Sequence, residues 1–276
     1  MTPIERLFER LPELPTIPAI VQELIASLGR DDVDLASLIA KVREDQSLSA
    51  RVLRLANSPY YAGRKSVGSI EDAVAMIGLN ALRAIVIASG VAGAISKVEG
   101  ISLPDFWKHS QLTARLASSL GKLAGLNKEF AYAAGLLHRI GQLLIQIVVP
   151  EIGNKVLAEC RNLSVGELAA LERLHLTFDH SQVSAELARK WFFPEEIVGA
   201  LAFYTRPEQE GATPYAGIVN LAASIAFGIE KGQPDEVILS HINHRVVTQL
   251  GLEEVDWPEE LAKMREAAGA GETLYA

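Results

Sequence analysis

The chain has 276 residues, 49% of them hydrophobic and 22% charged, and a formal net charge of -8 at pH 7. This composition is typical of a folded globular protein, and the acidic balance argues against general affinity for nucleic acid or for an acidic membrane surface. Cys160 is the only cysteine, which excludes an intramolecular disulfide and a cysteine-rich zinc site. The longest apolar run, around Ala84 to Ile95, is shorter than the roughly 20 residues that cross a bilayer, and no signal-peptide pattern is present. We therefore expect a cytoplasmic protein without membrane contact.

Helical spacing and start signals predict five short helices before residue 95. The first runs from Pro18 to Leu28, where apolar residues recur at helical spacing. Asp34 can cap the second helix, since its carboxylate can accept from the free amides of the first turn. The third helix begins at Ser47 and ends before Pro59, because proline disfavours helical geometry in the residue that precedes it.

The fourth and fifth predicted helices have the outline of a helix-turn-helix. Ser69 and Asp72 form a start signal for the fourth, and Gly78 permits a turn before Asn80, which we predict to cap the fifth. In a helix-turn-helix, Asn80 and Arg83 would lie at the start of the recognition helix. Because this helix is nearly all apolar beyond Arg83, a packing role is favoured over DNA binding.

The second part of the chain also has a helical pattern. Gly93, Gly100 and Pro104 mark a predicted boundary, and we expect two lobes that contact each other, residues 1–100 and residues 101–276. Further helix starts or stops are predicted at Pro150, Ser164, Asp179, Pro194, Pro214, Asp235 and Pro258. No convincing alternating strand pattern is present, so the predicted fold is all-α.

Three histidines on three predicted helices, His109, His138 and His180, form the only constellation with metal-site character. His138 and Arg139 adjoin in the apolar segment AAGLLHRIGQLLI, within a helix predicted from about Lys128 to just before Pro150. Singly, each histidine is more often structural than a ligand. A polar pair inside an apolar helix, however, must point into a cleft or find partners, because an unsatisfied buried polar group is costly.

The other chemistry-bearing patterns are weak or absent. His241 and His244 are three residues apart and could share a helix face, but no acid or cysteine accompanies them, so a solvated face is favoured over a metal site. The chain has no Gly-rich phosphate loop, no G-x-S-x-G elbow and no H-E-x-x-H motif. No nucleophilic mechanism is indicated.

Seven segments together carry a family resemblance: LPTIPAIVQELIASL, EDQSLSARVLRLANSPYYAG, VGSIEDAVAMIGLNALRAIVI, FWKHS, AGLLHRIGQLL, DHSQVSAELARKW and FYTRPE. They resemble the successive motifs of the HDOD family, the output-type relatives of the HD-domain phosphohydrolases, over roughly residues 11 to 230. The resemblance implies an all-helical bacterial signalling domain allied with two-component or cyclic-dinucleotide systems, with no established catalysis. It also implies an N-terminal helical lobe packed on a C-terminal HD-like lobe.

The resemblance assigns the three histidines to motif positions. His109 matches the first histidine of the HD pattern, His138 matches the histidine of its His-Asp doublet, and His180 matches the histidine of the D-H motif. Together with Arg139 they are the candidate ligand-binding residues of a cleft that holds the metal in catalytic relatives.

The departures from the family pattern are as informative as the matches. Arg139 occupies the doublet's aspartate position, Tyr204 and Thr205 stand where many relatives have paired histidines in Y-H-H, and Ala223 falls where V-H-L-A-D would supply the last acid. Replacing an acid by arginine changes the local charge by about two units, which strongly opposes binding of a divalent ion. We therefore expect no metal, no cofactor, no catalytic residues and no enzymatic activity.

The preferred hypothesis is a non-catalytic signal-transduction or regulatory protein that acts through protein–protein interaction. One alternative is a degenerate metal phosphohydrolase in which the three histidines still bind a transition metal. A second alternative is a binder of a phosphorylated or other anionic small ligand, since Arg139 beside histidines suits phosphate or carboxylate recognition. Direct nucleic-acid binding is the weakest of the alternatives.

Overall fold

This computed structural model describes residues 1–11, 13–27, 34–57, 67–95, 97–159 and 164–269. All regular secondary structure in these residues is helical, which confirms the predicted all-α fold. The helices are α1 (Pro3–Glu9), α2 (Ala19–Ala26), α3 (Leu35–Glu44), α4 (Gln46–Ala56), α5 (Ile70–Ile77), α6 (Leu79–Ala94), α7 (Leu103–Leu123), α8 (Lys128–Leu137), α9 (Ile140–Val148), α10 (Pro150–Glu159), α11 (Val165–Leu176), α12 (His180–Lys190), α13 (Glu195–Phe203), α14 (Pro214–Glu230), α15 (Asp235–His241), α16 (His244–Gln249) and α17 (Trp257–Gly269). Within these ranges, no helix combines the length and the apolar character that a bilayer span requires. Leu28, the predicted end of the first helix, and Cys160 lie outside the described residues.

Local capping chemistry determines where several helices begin, as predicted. Asp34 accepts from two backbone N–H groups in the first turn of α3, and Ser69 accepts from one in α5. Ser164 and Asp179 each form a reciprocal capping box, at the starts of α11 and α12. Each cap satisfies amides that have no partner within their own helix.

The first six helices differ from the prediction in several places, since α2 ends at Ala26 rather than Leu28 and α4 begins at Gln46 rather than Ser47. α1 was not predicted, although Thr2 and Glu5 form a capping box at its start. α6 begins at Leu79, so the prediction that Asn80 caps this helix is wrong. Gly78, at φ +84°, both ends α5 and precedes the first residue of α6, which moves the start of the helix ahead of the asparagine.

The prediction that His241 and His244 could share a helix face is also wrong. α15 ends at His241, and α16 begins at His244. Asn243 caps α16 by accepting from two of its backbone N–H groups, and this cap separates the two helices.

Arg83 lies inside the protein. Its side chain is 2% exposed and donates hydrogen bonds to the backbone carbonyl and the hydroxyl of Ser27. Its guanidinium also lies 3.6 Å from the carboxylate of Glu129. The α5–α6 pair therefore buries the arginine that a recognition helix would present to DNA, which agrees with the predicted packing role.

α7 is the central helix of the fold and packs along both α8 and α14. α8 approaches α7 closely at Gly135, where a Cβ atom would lie 2.8 Å from Cα of Ala114. One hydrophobic cluster extends from Leu7 in α1 to Val219 in α14. This cluster includes residues on both sides of position 100, and the division into two lobes there stays a prediction.

Candidate functional site

The segment that carries His138 and Arg139 is a break between two helices. α8 ends at Leu137 and α9 begins at Ile140, and Arg139 has φ -113° and ψ 11°. The prediction of one helix running through this segment is therefore wrong. The break places both side chains on the wall of one cavity.

The hydroxyl of Ser184 on α12 hydrogen-bonds backbone groups on both sides of this break. Ser184 Oγ accepts from the backbone N–H of Gly141 at 2.9 Å and donates towards the carbonyls of His138, at 3.1 Å, and His180, at 2.8 Å. Backbone groups at the break thus find their partner on another helix. A Cβ atom at Gly141 would lie 2.2 Å from the His180 carbonyl oxygen, so glycine is needed for this approach. Tertiary packing determines the break, which helix propensity does not reveal.

His109 from α7 and His138 face each other, with ring centroids 5.4 Å apart and both side chains buried. His109 Nδ1 lies 2.7 Å from a carboxylate oxygen of Glu230, and His138 Nδ1 lies 2.7 Å from the Gly135 carbonyl. Both oxygens accept, so the ring hydrogen lies on Nδ1 and Nε2 keeps a lone pair. Burial, followed by the charge of Arg139, lowers the pKa of His109. Burial, followed by the charges of His109 and Arg139, holds the pKa of His138 well below its usual value.

His180 at the start of α12 lies between a carboxylate and a phenol. Glu172 accepts from the backbone N–H of His180 at 2.8 Å and from its Nδ1. His180 Nε2 is hydrogen-bonded to the hydroxyl of Tyr204. Burial, followed by the charges of Glu172 and Asp179, raises the pKa of Tyr204 well above its usual value. Because Glu172 accepts from Nδ1, Nε2 is the ring nitrogen that can accept, and the phenol, which keeps its proton, donates a hydrogen bond to it.

The three histidines, Tyr204 and the two carboxylates that contact the histidines line a cavity of about 280 Å³, which we call the histidine cavity. The structure brings together on its wall all four candidate ligand-binding residues, namely His109, His138, Arg139 and His180. The Arg139 guanidinium stacks over the ring of Phe106, with Cζ 4.6 Å from the ring centroid. The rest of the lining consists of Ile101, Gln142, Ile145, Gln146, Gly153, Val156, Leu157, Ser164, Val165, Leu168, Glu172, Tyr204, Phe227, Glu230 and Lys231.

The donor set of the histidine cavity fits a hydrolytic metal centre poorly. His109 and His138 are held as metal ligands often are, with Nδ1 on an acceptor and Nε2 bearing a lone pair. His180 differs, because its Nε2 accepts from Tyr204. Arg139 adds a positive charge beside the two remaining imidazoles. Across the described ranges, no three His, Cys, Asp or Glu side chains form a group that could hold a metal ion.

The other departures noted in the sequence supply no replacement ligand. Ala223 is fully buried in α14 and has no donor atom beyond its backbone. Thr205 lies 3.4 Å from the hydroxyl of Ser181, to which it can hydrogen-bond, and is not among the residues that line the histidine cavity.

Sequence reasoning missed the two carboxylates of the cavity. Glu230 ends α14, 121 residues from its partner His109, and no local pattern connects them. Glu172 lies eight residues before His180, and its burial, which makes a partner necessary, is known only from the structure. Gln146 was also missed, and it is one of the most buried polar side chains on the cavity wall.

Comparisons with solved structures show what this architecture is similar to. A candidate phosphohydrolase from Shewanella amazonensis SB2B is 33% identical, with a TM-score of 0.78 over 96% of this chain and 97% of that one. An HDOD domain protein of unknown function from Geobacter sulfurreducens shares the fold, with a TM-score of 0.79, 24% identity and 96% of each chain covered.

Comparisons of sequence identify the family. An uncharacterized protein of Treponema pallidum (strain Nichols) is 26% identical over 201 aligned residues, and the match covers 71% of this chain. The match spans only 38% of the Treponema protein. The family model of the HDOD domain matches residues 14–207, well over half of the chain. The chain therefore belongs to the HDOD domain family.

Proposed function

We propose that this chain is a non-catalytic signal-transduction protein of the HDOD type, which works in the cytoplasm by contacting other signalling proteins. The observation that carries the proposal is the hydrogen bond from Tyr204 to His180 Nε2, which engages the third imidazole of the histidine cavity. The guanidinium of Arg139, at the position of the doublet's acid, supports it further. Two imidazoles beside a cation are a poor site for a metal that activates water. The partners belong to a two-component or cyclic-dinucleotide pathway.

The test is a hydrolysis assay on the purified protein with Mn²⁺, Co²⁺ or Zn²⁺ added. Its substrates are p-nitrophenyl phosphate, bis(p-nitrophenyl) phosphate and a cyclic dinucleotide. We expect no rate above that of the His138→Ala variant. The matched control is His244→Ala, which removes an exposed histidine outside the cavity. Metal-dependent hydrolysis that is lost with His138→Ala and kept with His244→Ala would overturn the proposal.

One alternative is a degenerate phosphohydrolase that retains a metal. The Nε2 lone pairs of His109 and His138 favour this alternative, because their Nδ1 contacts are those of ligand histidines. Elemental analysis after soaking in Zn²⁺ or Mn²⁺ tests it. A stoichiometric metal content that falls with His109→Ala would support it, and a metal-free protein would remove it.

A second alternative is an anion-binding pocket, for example for a phosphorylated small ligand. Arg139 and Lys231 both line the histidine cavity, which gives it two cationic groups. Stabilisation by a nucleotide or a phosphorylated metabolite that disappears with Arg139→Ala would support this role. A broad thermal-shift screen without any Arg139-dependent hit would count against it.

A further inference from the structure

A second cavity lies beside the histidine cavity, between the start of α11, the turns that follow α13, and α14. It measures about 330 Å³, and Ser164 and Val165 line both cavities. Of the twelve residues that line it, nine have polar side chains, and the other three are Val165, Gly166 and Pro207. We call this space the polar cavity. The nine polar residues are Ser164, Thr205, Arg206, Glu208, Gln209, Asn220, Ser224, His241 and Asn243.

Arg206 gives the polar cavity a cation without a counter-ion. Its side chain is partly buried and forms neither a salt bridge nor a hydrogen bond within the part of the chain that the structure describes. Its Nε is enclosed, whereas its two terminal nitrogens keep accessible surface. A ligand would therefore meet the guanidinium at its terminal N–H groups. Because a partly desolvated charge without a partner is unfavourable, a bound anion would stabilise this arrangement.

The carboxylates of this region already have partners. Glu208, on the cavity wall, accepts from Nδ2 of Asn243 at 2.8 Å and from Arg245 at 2.9 Å. Arg245 thereby offsets the charge of Glu208. Glu167, in the first turn of α11, accepts from the backbone N–H and the hydroxyl of Ser164. The guanidinium of the cavity is therefore left for a ligand.

Further hydrogen-bonding groups line the same cavity. Asn220 and Ser224 lie four residues apart, on one face of α14. Asn220 donates from Nδ2 to the carbonyl of Tyr204 at 2.9 Å, which leaves its Oδ1 as an acceptor, and the Ser224 hydroxyl can donate. Val165 and Gly166 are the first two residues of α11, and their backbone N–H groups have no acceptor within the helix. A guanidinium, a hydroxyl and helix amides are groups that together suit a phosphate.

The volume and the polarity of the cavity indicate the rest of the ligand. Ligand pockets commonly measure about 300 to 1,000 Å³, so a cavity of about 330 Å³ suits a small molecule. A phosphate ion alone would fill only a part of it. Gln209, Asn220 and His241 can exchange hydrogen bonds with hydroxyl groups, and the few apolar residues offer little contact to an apolar ligand. The lining therefore suits a phosphorylated polyol.

We propose that the polar cavity binds a small sugar phosphate, with the phosphate at Arg206 and the start of α11 and the hydroxyl groups along α14. This site is separate from the ligand-binding residues of the histidine cavity. It goes beyond the proposed function, because it gives the signalling domain a small-molecule input that needs neither a metal nor the three imidazoles.

The test is isothermal titration calorimetry with glucose 6-phosphate, in a buffer without phosphate or sulfate. EDTA is present throughout, so the result does not depend on metal or hydrolysis, and failure here is distinct from failure of the hydrolysis assay. We expect binding of glucose 6-phosphate by the wild type, and no binding of glucose, which lacks the anion. Inorganic phosphate should bind several-fold more weakly than glucose 6-phosphate, because it lacks the hydroxyl groups of the sugar.

Four variants locate the binding site. Arg206→Gln should weaken binding of glucose 6-phosphate by about tenfold or more, since it removes a charge-assisted hydrogen bond. Gly166→Met keeps the guanidinium but should block the cavity, because a Cβ atom at Gly166 would lie 3.9 Å from the carbonyl oxygen of Thr205 on the cavity wall. Arg43→Gln removes a 66% exposed arginine side chain on α3 and should leave the affinity unchanged. Arg139→Gln should also leave it unchanged, which separates this site from an anion pocket in the histidine cavity.

Three results would overturn the proposal. The first is no binding of glucose 6-phosphate at millimolar concentration to a protein whose melting is cooperative. The second is wild-type affinity in Arg206→Gln or, where that variant does not melt cooperatively, in Gly166→Met. The third is binding of glucose or of inorganic phosphate that is as tight as that of glucose 6-phosphate. A loss of binding in Arg139→Gln alone would give the second result and assign the ligand to the histidine cavity.

Discussion

Replacing Arg139 by aspartate should give the histidine cavity affinity for a divalent metal ion. His109 and His138 already keep Nε2 lone pairs, and their Nδ1 atoms are held by Glu230 and the Gly135 carbonyl. The Arg139→Asp variant adds a carboxylate at the position beside them. Two imidazoles and one carboxylate form a donor set that binds zinc and related metals in many proteins.

The size of the effect follows from the charge. The substitution changes the charge by about two units, and at about 8 Å and an effective dielectric near 20 each pair of unit charges is worth about 2 kcal/mol. Against a divalent ion the upper bound is then about 8 kcal/mol. Arg139 is partly exposed, so solvent and salt screen it. If screening leaves a quarter of this upper limit, the Arg139→Asp variant binds the metal ion more tightly by about 2 kcal/mol, or about 30-fold in affinity.

The assay is a titration with Co²⁺, followed by the visible absorption of the bound ion and repeated by calorimetry. Arg245→Asp is the matched control, because it makes the same change of charge on an exposed side chain of α16. An Arg139→Asp protein that folds normally but binds Co²⁺ no more tightly than the wild type would refute the electrostatic reasoning. A similar gain in Arg245→Asp would refute the assignment of the effect to the cavity.

Three further predictions concern stability. Tyr204→Phe should lower the free energy of unfolding by about 1–3 kcal/mol in urea denaturation, because it leaves Nε2 of the buried His180 without its donor. Phe192→Gly should raise this free energy by about 1 kcal/mol, since Phe192 lies just beyond the end of α12, at φ +61° and with 80% of its surface exposed. Stability should fall as the pH is lowered below about 6.5, because the pKa of folded His138 is depressed and the unfolded chain then binds more protons. His138→Asn, which can keep a donor for the Gly135 carbonyl, should show a shallower pH dependence in the same urea titrations.

Each of these has a clear contrary result. An unchanged urea midpoint in Tyr204→Phe would mean that the hydroxyl contributes nothing to the fold. A destabilised Phe192→Gly would show that the exposed ring makes contacts worth more than the backbone strain. An identical pH dependence in His138→Asn and the wild type would assign the acid sensitivity to other groups.

The fold was predictable from the sequence where local chemistry determines it. Asp34, Ser69, Ser164 and Asp179 cap helices with their own side chains, and this interaction depends on residues a few positions apart. The start of α1 depends on the same kind of local interaction, the capping box of Thr2 and Glu5. These boundaries need no knowledge of tertiary structure.

The site was only partly predictable, because its organisation depends on distant contacts. The three histidines and Arg139 could be named from motif positions, and the structure places them on one cavity. The break after Leu137 could not be predicted, since the Ser184 hydroxyl that hydrogen-bonds its backbone lies on another helix. The pairing of His109 with Glu230 likewise requires the packing of α14 against α7.

Some of the residues that carry the family resemblance pack the helices and do not line the cavity as ligands. Ser184, Gly135 and Gly141 lie in two of the segments that resemble the family, AGLLHRIGQLL and DHSQVSAELARKW. These residues have structural roles. The two glycines allow helices to approach closely, and the Ser184 hydroxyl hydrogen-bonds backbone groups between the helices. These two segments match the family pattern in this chain although Arg139 stands where the resemblance places an aspartate. The family match therefore identifies the scaffold of this chain, and the chemistry of its histidine cavity depends on the side chains that line it.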